Sequence, residues 1–141
     1  MTASPDLGAP QVVTIAADKD VVLVRQVVRS VAVTVALSLV DQTKLVTAAS
    51  ELARNTLVYG GGGGAEIGVV DSGRRKGVRI VFADDGPGIA DLDLALSDGY
   101  TSGGGLGLGL GGARRLVDEF EIDTAPGRGT RVTITKWSRS T

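Results

Sequence analysis

The chain has 141 residues, and 15 Lys+Arg against 16 Asp+Glu give a formal net charge of -1. That length suits one domain with one core, and basic residues scattered rather than striped give no broad electrostatic reason to bind nucleic acid or an anionic membrane. Hydrophobic content of 43% is ordinary for a globular protein and 4% aromatic leaves the core to aliphatic side chains, while the absence of Cys and His removes disulfides, thiolate chemistry, self-phosphorylation on His and the His-Arg-Asp loop of ordinary protein kinases.

Residues 1–10 have neither the positive region nor the apolar stretch of a signal peptide. They are expected as a disordered lead-in, with a domain over 11–137, a frayed tail over 138–141 and a cytoplasmic location. Val12 to Ala16 predicts a strand, after which Asp18 is placed to cap a helix whose valines at 21, 24, 28, 31 and 35 mark one buried face. The apolar stretch from Val21 to Val40 is interrupted by Arg25, Gln26, Arg29 and Ser30, short of the roughly 18 uninterrupted residues a membrane span needs.

A second helix is predicted from Asp41 to Tyr59, ending at Gly60 to Gly64, which is expected as a flexible spacer with no ligand. Strands follow at Glu66 to Val70 and Val78 to Ala83, joined by a hairpin loop whose Arg74-Arg75-Lys76 reads as a solvated tip. Gly86-Pro87-Gly88-Ile89 suits a type II turn, with Pro at the second position and Gly at the third. Asp91 to Ser97 predicts a short helix, and a glycine-rich loop then runs to Gly112. A helical pattern resumes over Ala113 to Phe120, before strands at Glu121 to Ala125 and Thr130 to Lys136 joined by a Pro126-Gly127 turn. This order lacks βαβ alternation. It predicts an α/β fold, a two-layer sandwich with helices on one face of a mixed, mostly antiparallel sheet.

Three segments carry chemistry. Glu51-Leu-Ala-Arg-Asn55 places a carboxylate and an amide four residues apart on a helix, so both point to one side. The amide oxygen is a hard ligand suited to Mg²⁺, and the carboxylate can accept a proton from an attacking hydroxyl. The same spacing also fits two solvated residues on an amphipathic helix, and Arg54 between them reads as a surface residue. Asp84 ends a strand before a tight turn, where a carboxylate can accept a hydrogen bond from the exocyclic amine of adenine; Asp85 would serve an ordinary acidic turn equally well. Gly103 to Gly112 offers backbone amides to phosphate ahead of a helix N-terminus. Its Gly107-x-Gly109-x-x-Gly112 is not a dinucleotide fingerprint, since no strand leads into it, and no Gly-Lys-Ser/Thr occurs for a Walker motif. Thr130 follows a Gly-x-Gly turn and could join Asp84 at a base ring.

Together these residues resemble the GHKL ATPase superfamily. Glu51 to Asn55 looks like its N box, Asp84-x-Gly86-x-Gly88 its G1 box, Gly105-Leu-Gly-Leu-Gly-Leu110 its G2 box and Gly127-Arg-Gly-Thr130 its closing Gly-x-Gly-Thr. Within it, Ser50-Glu-Leu-Ala-Arg-Asn55, Asp84-Asp-Gly-Pro-Gly-Ile89, Gly99-Tyr-Thr-Ser-Gly103 and Arg114-Arg-Leu-Val-Asp-Glu-Phe120 resemble the RsbT-type switch kinases over nearly the whole chain.

The resemblance implies a Bergerat-type fold, ATP and Mg²⁺, and a serine/threonine protein kinase of the stressosome pathway. Such a kinase phosphorylates STAS-domain antagonist proteins and, once released, activates a PP2C-type phosphatase; a homodimer is allowed for. By the same resemblance Glu51 would be general base, Asn55 the Mg²⁺ ligand and Asp84 the adenine reader. Gly86, Gly88, Ile89 and Thr130 would line the pocket, and Gly103, Gly104, Gly105, Leu106, Gly107, Leu108, Gly109 and Leu110 would form the ATP lid. The Gly60 to Gly64 run is longer, and the lid richer in glycine, than that likeness requires. The alternatives are an anti-sigma factor of the RsbW or SpoIIAB type and, third, a sensor-kinase catalytic domain acting on a separate chain.

Overall fold

The computed structural model describes residues 9–97 and 109–139. Its elements are β1 (Gln11–Ile15), α1 (Asp18–Thr34), α2 (Leu39–Val58), β2 (Gly63–Asp71), β3 (Lys76–Asp84), α3 (Leu92–Ala95), α4 (Gly109–Arg115), β4 (Glu119–Thr124) and β5 (Thr130–Trp137). The strands form one sheet in the order β1-β2-β3-β5-β4, and each neighbouring pair is antiparallel.

Register explains the core. Side chains alternate across a strand, so partners in the register share a face. One row runs Val13, Ala65, Phe82, Val132, Ile122, and the next runs Gln11, Ile67, Ile80, Ile134, Phe120. Nine of those ten side chains are apolar, and α1 and α2 pack on them to form a single core. The opposite face carries Glu66, Arg79, Glu121 and Arg131, all exposed. An α/β sandwich with helices on one face is therefore what the binary pattern dictates.

The helix faces follow the same logic. Val21, Val24, Val28, Val31 and Val35 are all buried, as their spacing predicts. The cap differs from expectation: Asp18 is the first helical residue, and Asp20 reaches back so that its Oδ2 accepts the Ala16 N–H at 2.8 Å and the Ala17 N–H at 3.0 Å. An acid inside the first turn satisfies amides that Ala17, with no polar side chain, cannot. The second helix likewise begins two residues before Asp41, because Ser38 Oγ accepts the Asp41 N–H at 3.1 Å and is the cap.

Three further boundaries move. The strand β2 starts at Gly63, so the last two of the five glycines are strand rather than spacer. The helix expected over Ala113 to Phe120 is α4, four residues earlier; Gly111 lets its backbone lie against the Leu96 carbonyl, a contact any Cβ would block. Phe120 then falls in β4, facing inward opposite Ile134.

Residues 138 and 139, expected in a frayed tail, are docked on the fold. Ser138 is buried, its N–H donates to Lys76 O at 2.8 Å, and Arg139 joins an ion network. In it Lys136 Nζ lies 3.7 Å from Asp41 Oδ1 and 3.5 Å from Asp118 Oδ1, while Arg139 lies 3.5 Å from Asp41 Oδ2 and 3.6 Å from Asp118 Oδ1. Two cations match two carboxylates, which is what makes burying the Lys136 side chain at 4% exposure tolerable. Among the described residues no helix is long and apolar enough to cross a membrane.

Removing Lys136 would take the buried cation away from two carboxylates and leave them Arg139, whose side chain is mostly solvated. Lys136→Met is expected to cost about 2–4 kcal/mol and Arg139→Ala under about 1 kcal/mol. Equilibrium urea unfolding of both variants checks the order, and equal losses would contradict it.

Candidate functional site

Where the two apolar rows end, the sheet's helix-facing side turns polar. The next row reads Ile15, Gly63, Asp84, Thr130, Thr124, one residue from each strand. Asp84 thus stands between a residue with no side chain and two hydroxyls, at the mouth of the sandwich. Its Oδ1 accepts the Gly86 N–H at 2.9 Å, which folds the chain into the turn that follows. Gly88 there has φ +76°, the left-handed value that the third position of a type II turn requires.

The helix α2 closes the other side. Glu51 and Asn55 lie one turn apart on it, both half-buried, while Arg54 between them is exposed. The backbone oxygen of Asn55 accepts the Gly60 N–H at 3.1 Å, ending the helix so that Gly60 presses on the Asp84 carboxylate. A Cβ at Gly60 would sit 2.5 Å from Asp84 Oδ2. One glycine therefore joins the amide's turn of helix to the acid at the strand end. Glu51 Oε2 accepts the Gly109 N–H at 3.3 Å, fixing the first residue of α4 beside it.

These contacts bring together Glu51, Asn55, Asp84, Gly86, Gly88, Ile89, Gly109 and Thr130. Leu110 is buried in the hydrophobic core. Gly103, Gly104, Gly105, Leu106, Gly107 and Leu108 lie outside the described residues. Two residues that sequence reasoning passed over matter here. Gly60 contacts the acid, and Thr124 binds three backbone or side-chain partners: its Oγ1 accepts the Ile89 N–H at 3.0 Å, lies 3.0 Å from Gly129 O and 2.9 Å from Thr130 Oγ1. The signal for Thr124 was the alternation Phe120-x-Ile122-x-Thr124, which carries the inward face of β4 onto a polar residue.

Among the described residues no three His, Cys, Asp or Glu cluster to hold a metal. Asn55 offers a hard oxygen that suits Mg²⁺ when phosphates and water complete the shell, the way this ion commonly binds.

A polar row of acid and threonine at a sheet end, faced by a Glu/Asn pair on a packed helix, is an arrangement suited to a nucleotide. The chain belongs to the histidine kinase-, DNA gyrase B- and HSP90-like ATPase family, which it matches over residues 40–140. It is a homologue of the serine/threonine-protein kinase RsbT of Bacillus subtilis (strain 168), 42% identical over 127 residues that span 90% of this chain and 96% of that one. The anti-sigma F factor of Clostridium novyi (strain NT) is 32% identical over 104 residues, 70% of this chain and 72% of its own. The structure of the RsbU and RsbW domains of a Mycobacterium tuberculosis protein shares the fold, with TM-score 0.65 and 23% identity over 94% of this chain and 33% of that one.

The glycine run can be tested position by position, because at Gly64 a Cβ would meet nothing closer than Val13 O at 3.5 Å. Gly64→Ala is expected to leave stability within about 0.5 kcal/mol, and Gly60→Ala to lose about 1–3 kcal/mol through overpacking against Asp84. Thermal unfolding of the two variants measures the contrast; a flexible spacer would show none.

Proposed function

We propose that this chain is an ATP-dependent serine/threonine kinase that acts as a partner switch. The observation that carries the reading is the pairing of Glu51 and Asn55 on one turn of α2 with Asp84 at the end of β3, joined through Gly60. The 42% identity to a named serine/threonine-protein kinase over nearly all of both chains supports the same conclusion.

In this reading Asp84 accepts a hydrogen bond from the exocyclic amine of adenine, with Thr130 beside it. Gly86, Gly88 and Ile89 form the wall of the base site. Asn55 supplies a protein ligand to Mg²⁺, which when bound would offset charge on the phosphates. Glu51 takes the proton from the acceptor hydroxyl as that oxygen forms its bond to the γ-phosphorus, while the bond to the β-phosphate oxygen breaks and ADP departs. The Glu51 carboxylate accepts one backbone amide and has further lone pairs for that proton. The Gly103 to Gly109 segment would lend its backbone amides to the phosphates. The acceptor is a serine or threonine of a STAS-domain antagonist or stressosome scaffold protein, and a PP2C-type phosphatase is the partner activated on release, in the cytoplasm.

Separate elements carry recognition and transfer, so their losses should separate. Glu51→Ala is expected to cut phosphoryl transfer at least about 100-fold with ATP still bound, and Asp84→Asn to weaken ATP binding about 10-fold or more. Radiolabelled ATP with purified STAS proteins reads the first and calorimetry the second. Normal transfer by both variants would defeat the assignment.

The 32% identity to an anti-sigma F factor favours a second reading, in which the same pocket selects between partners and the chain sequesters a sigma factor. A pull-down from cell extract distinguishes them. STAS protein or phosphatase is the expected catch, and a sigma factor would move the function to the second reading.

A further inference from the structure

The contacts of Thr124 fix more than a turn. Its hydroxyl has one proton and two lone pairs, and the structure surrounds it with three partners. The Ile89 N–H, at 3.0 Å, can only donate, so it takes one lone pair. Gly129 O, at 3.0 Å, can only accept, so it takes the proton. The remaining partner is Thr130 Oγ1 at 2.9 Å, and the only place left on Thr124 is a lone pair. Thr130 must therefore donate. The opposite assignment would leave Gly129 O without this donor and one Thr124 lone pair idle, in a half-buried setting where full satisfaction is favoured.

A Thr130 hydroxyl whose proton is committed sideways to Thr124 keeps only lone pairs for anything else. Asp84, its direct neighbour in the register, is an acceptor as well. We propose that Thr124 is a positioning residue: it holds Thr130 as an obligate acceptor, so that Asp84 and Thr130 present two acceptors side by side to the nucleobase. This deepens, and rests on, the nucleotide reading above. The ligand edge it selects is an exocyclic amine with two N–H groups, as on adenine, and the edge it rejects is a carbonyl oxygen, as on guanine.

The test compares ATP with purine riboside triphosphate, which lacks only the 6-amino group, by calorimetry on the full chain. Wild type is expected to lose about 10-fold in affinity when the amine is removed. Thr124→Val keeps the shape and β-propensity of the side chain and deletes the hydroxyl, freeing the Thr130 proton. The discrimination ratio is expected to fall by about 3- to 10-fold in Thr124→Val and to return to the wild-type value in Thr124→Ser. In a Thr130→Val background the Thr124→Val change should alter the ratio no further, because the group it acts through is gone. If valine is not accommodated, Thr124→Ala gives the same reading. A ratio unchanged in Thr124→Val or Thr124→Ala, with wild type binding ATP normally, overturns this inference alone. Failure of wild type to bind ATP at all overturns the pocket assignment and this inference with it.

Discussion

Everything at the pocket depends on strand register. Asp84 faces the helices because Phe82 and Ile80 do, two and four residues earlier on the same strand. A slip of one residue in the pairing of β3 would send Asp84 to the exposed face together with those core residues, so the hydrophobic effect that buries Phe82 also aims the acid. Burying two large side chains of this kind is worth roughly 3–6 kcal/mol, far more than any single polar contact at the site. The apolar rows thus fix the polar row. Thr130 and Thr124 inherit their placement in the same way from Val132 and Ile122.

The helix α2 carries this order from one end of the molecule to the other. Asp41 near its start and Asn55 near its end are fourteen residues apart, about 21 Å along the axis. At the first end the buried carboxylate meets Lys136 and Arg139; at the second the Asn55 backbone oxygen accepts the Gly60 N–H. Between them Leu45, Ala48, Ala49, Leu52 and Ala53 are buried against the sheet. Small alanines let the helix lie close, and the ion network ties its first end to β5 through Lys136. Glu51 and Asn55 are therefore held by packing on one side and by charge at the far end, without needing a rigid surrounding loop.

Much of this was legible in the sequence. Period-two alternation gave the strands, the valine stripe gave the buried face of α1, and the Glu/Asn spacing with the acid at a strand end picked out residues that the fold places around one candidate pocket. The errors share a cause. Glycine reads as absence of structure, yet Gly63 and Gly64 pair in β2 and Gly109 and Gly111 sit in α4; at Gly63 and Gly111 neighbouring backbone comes closer than a side chain permits, and at Gly60 the Asp84 carboxylate does. Caps were misassigned for a related reason. Asp20 and Ser38 act through bonds to residues three or four positions away, and hydropathy carries no trace of that. The docking of Arg139 depends on Asp41 and Asp118 and that of Ser138 on the Lys76 carbonyl, contacts distant in sequence that no local pattern announces.

The residues proposed for recognition and those proposed for transfer also sit on different elements. Asp84, Thr130 and Thr124 belong to the sheet, whereas Glu51 and Asn55 belong to α2, and Glu51 is tied onward to α4 through the Gly109 amide. A pocket built this way can keep its nucleotide site unchanged while the helix-borne groups and the outer surface diverge. That is consistent with homology to both a serine/threonine-protein kinase and anti-sigma F factors. On the proposed reading, the row that holds Asp84 specifies the nucleotide chemistry, and the choice of protein partner is written on surfaces away from it.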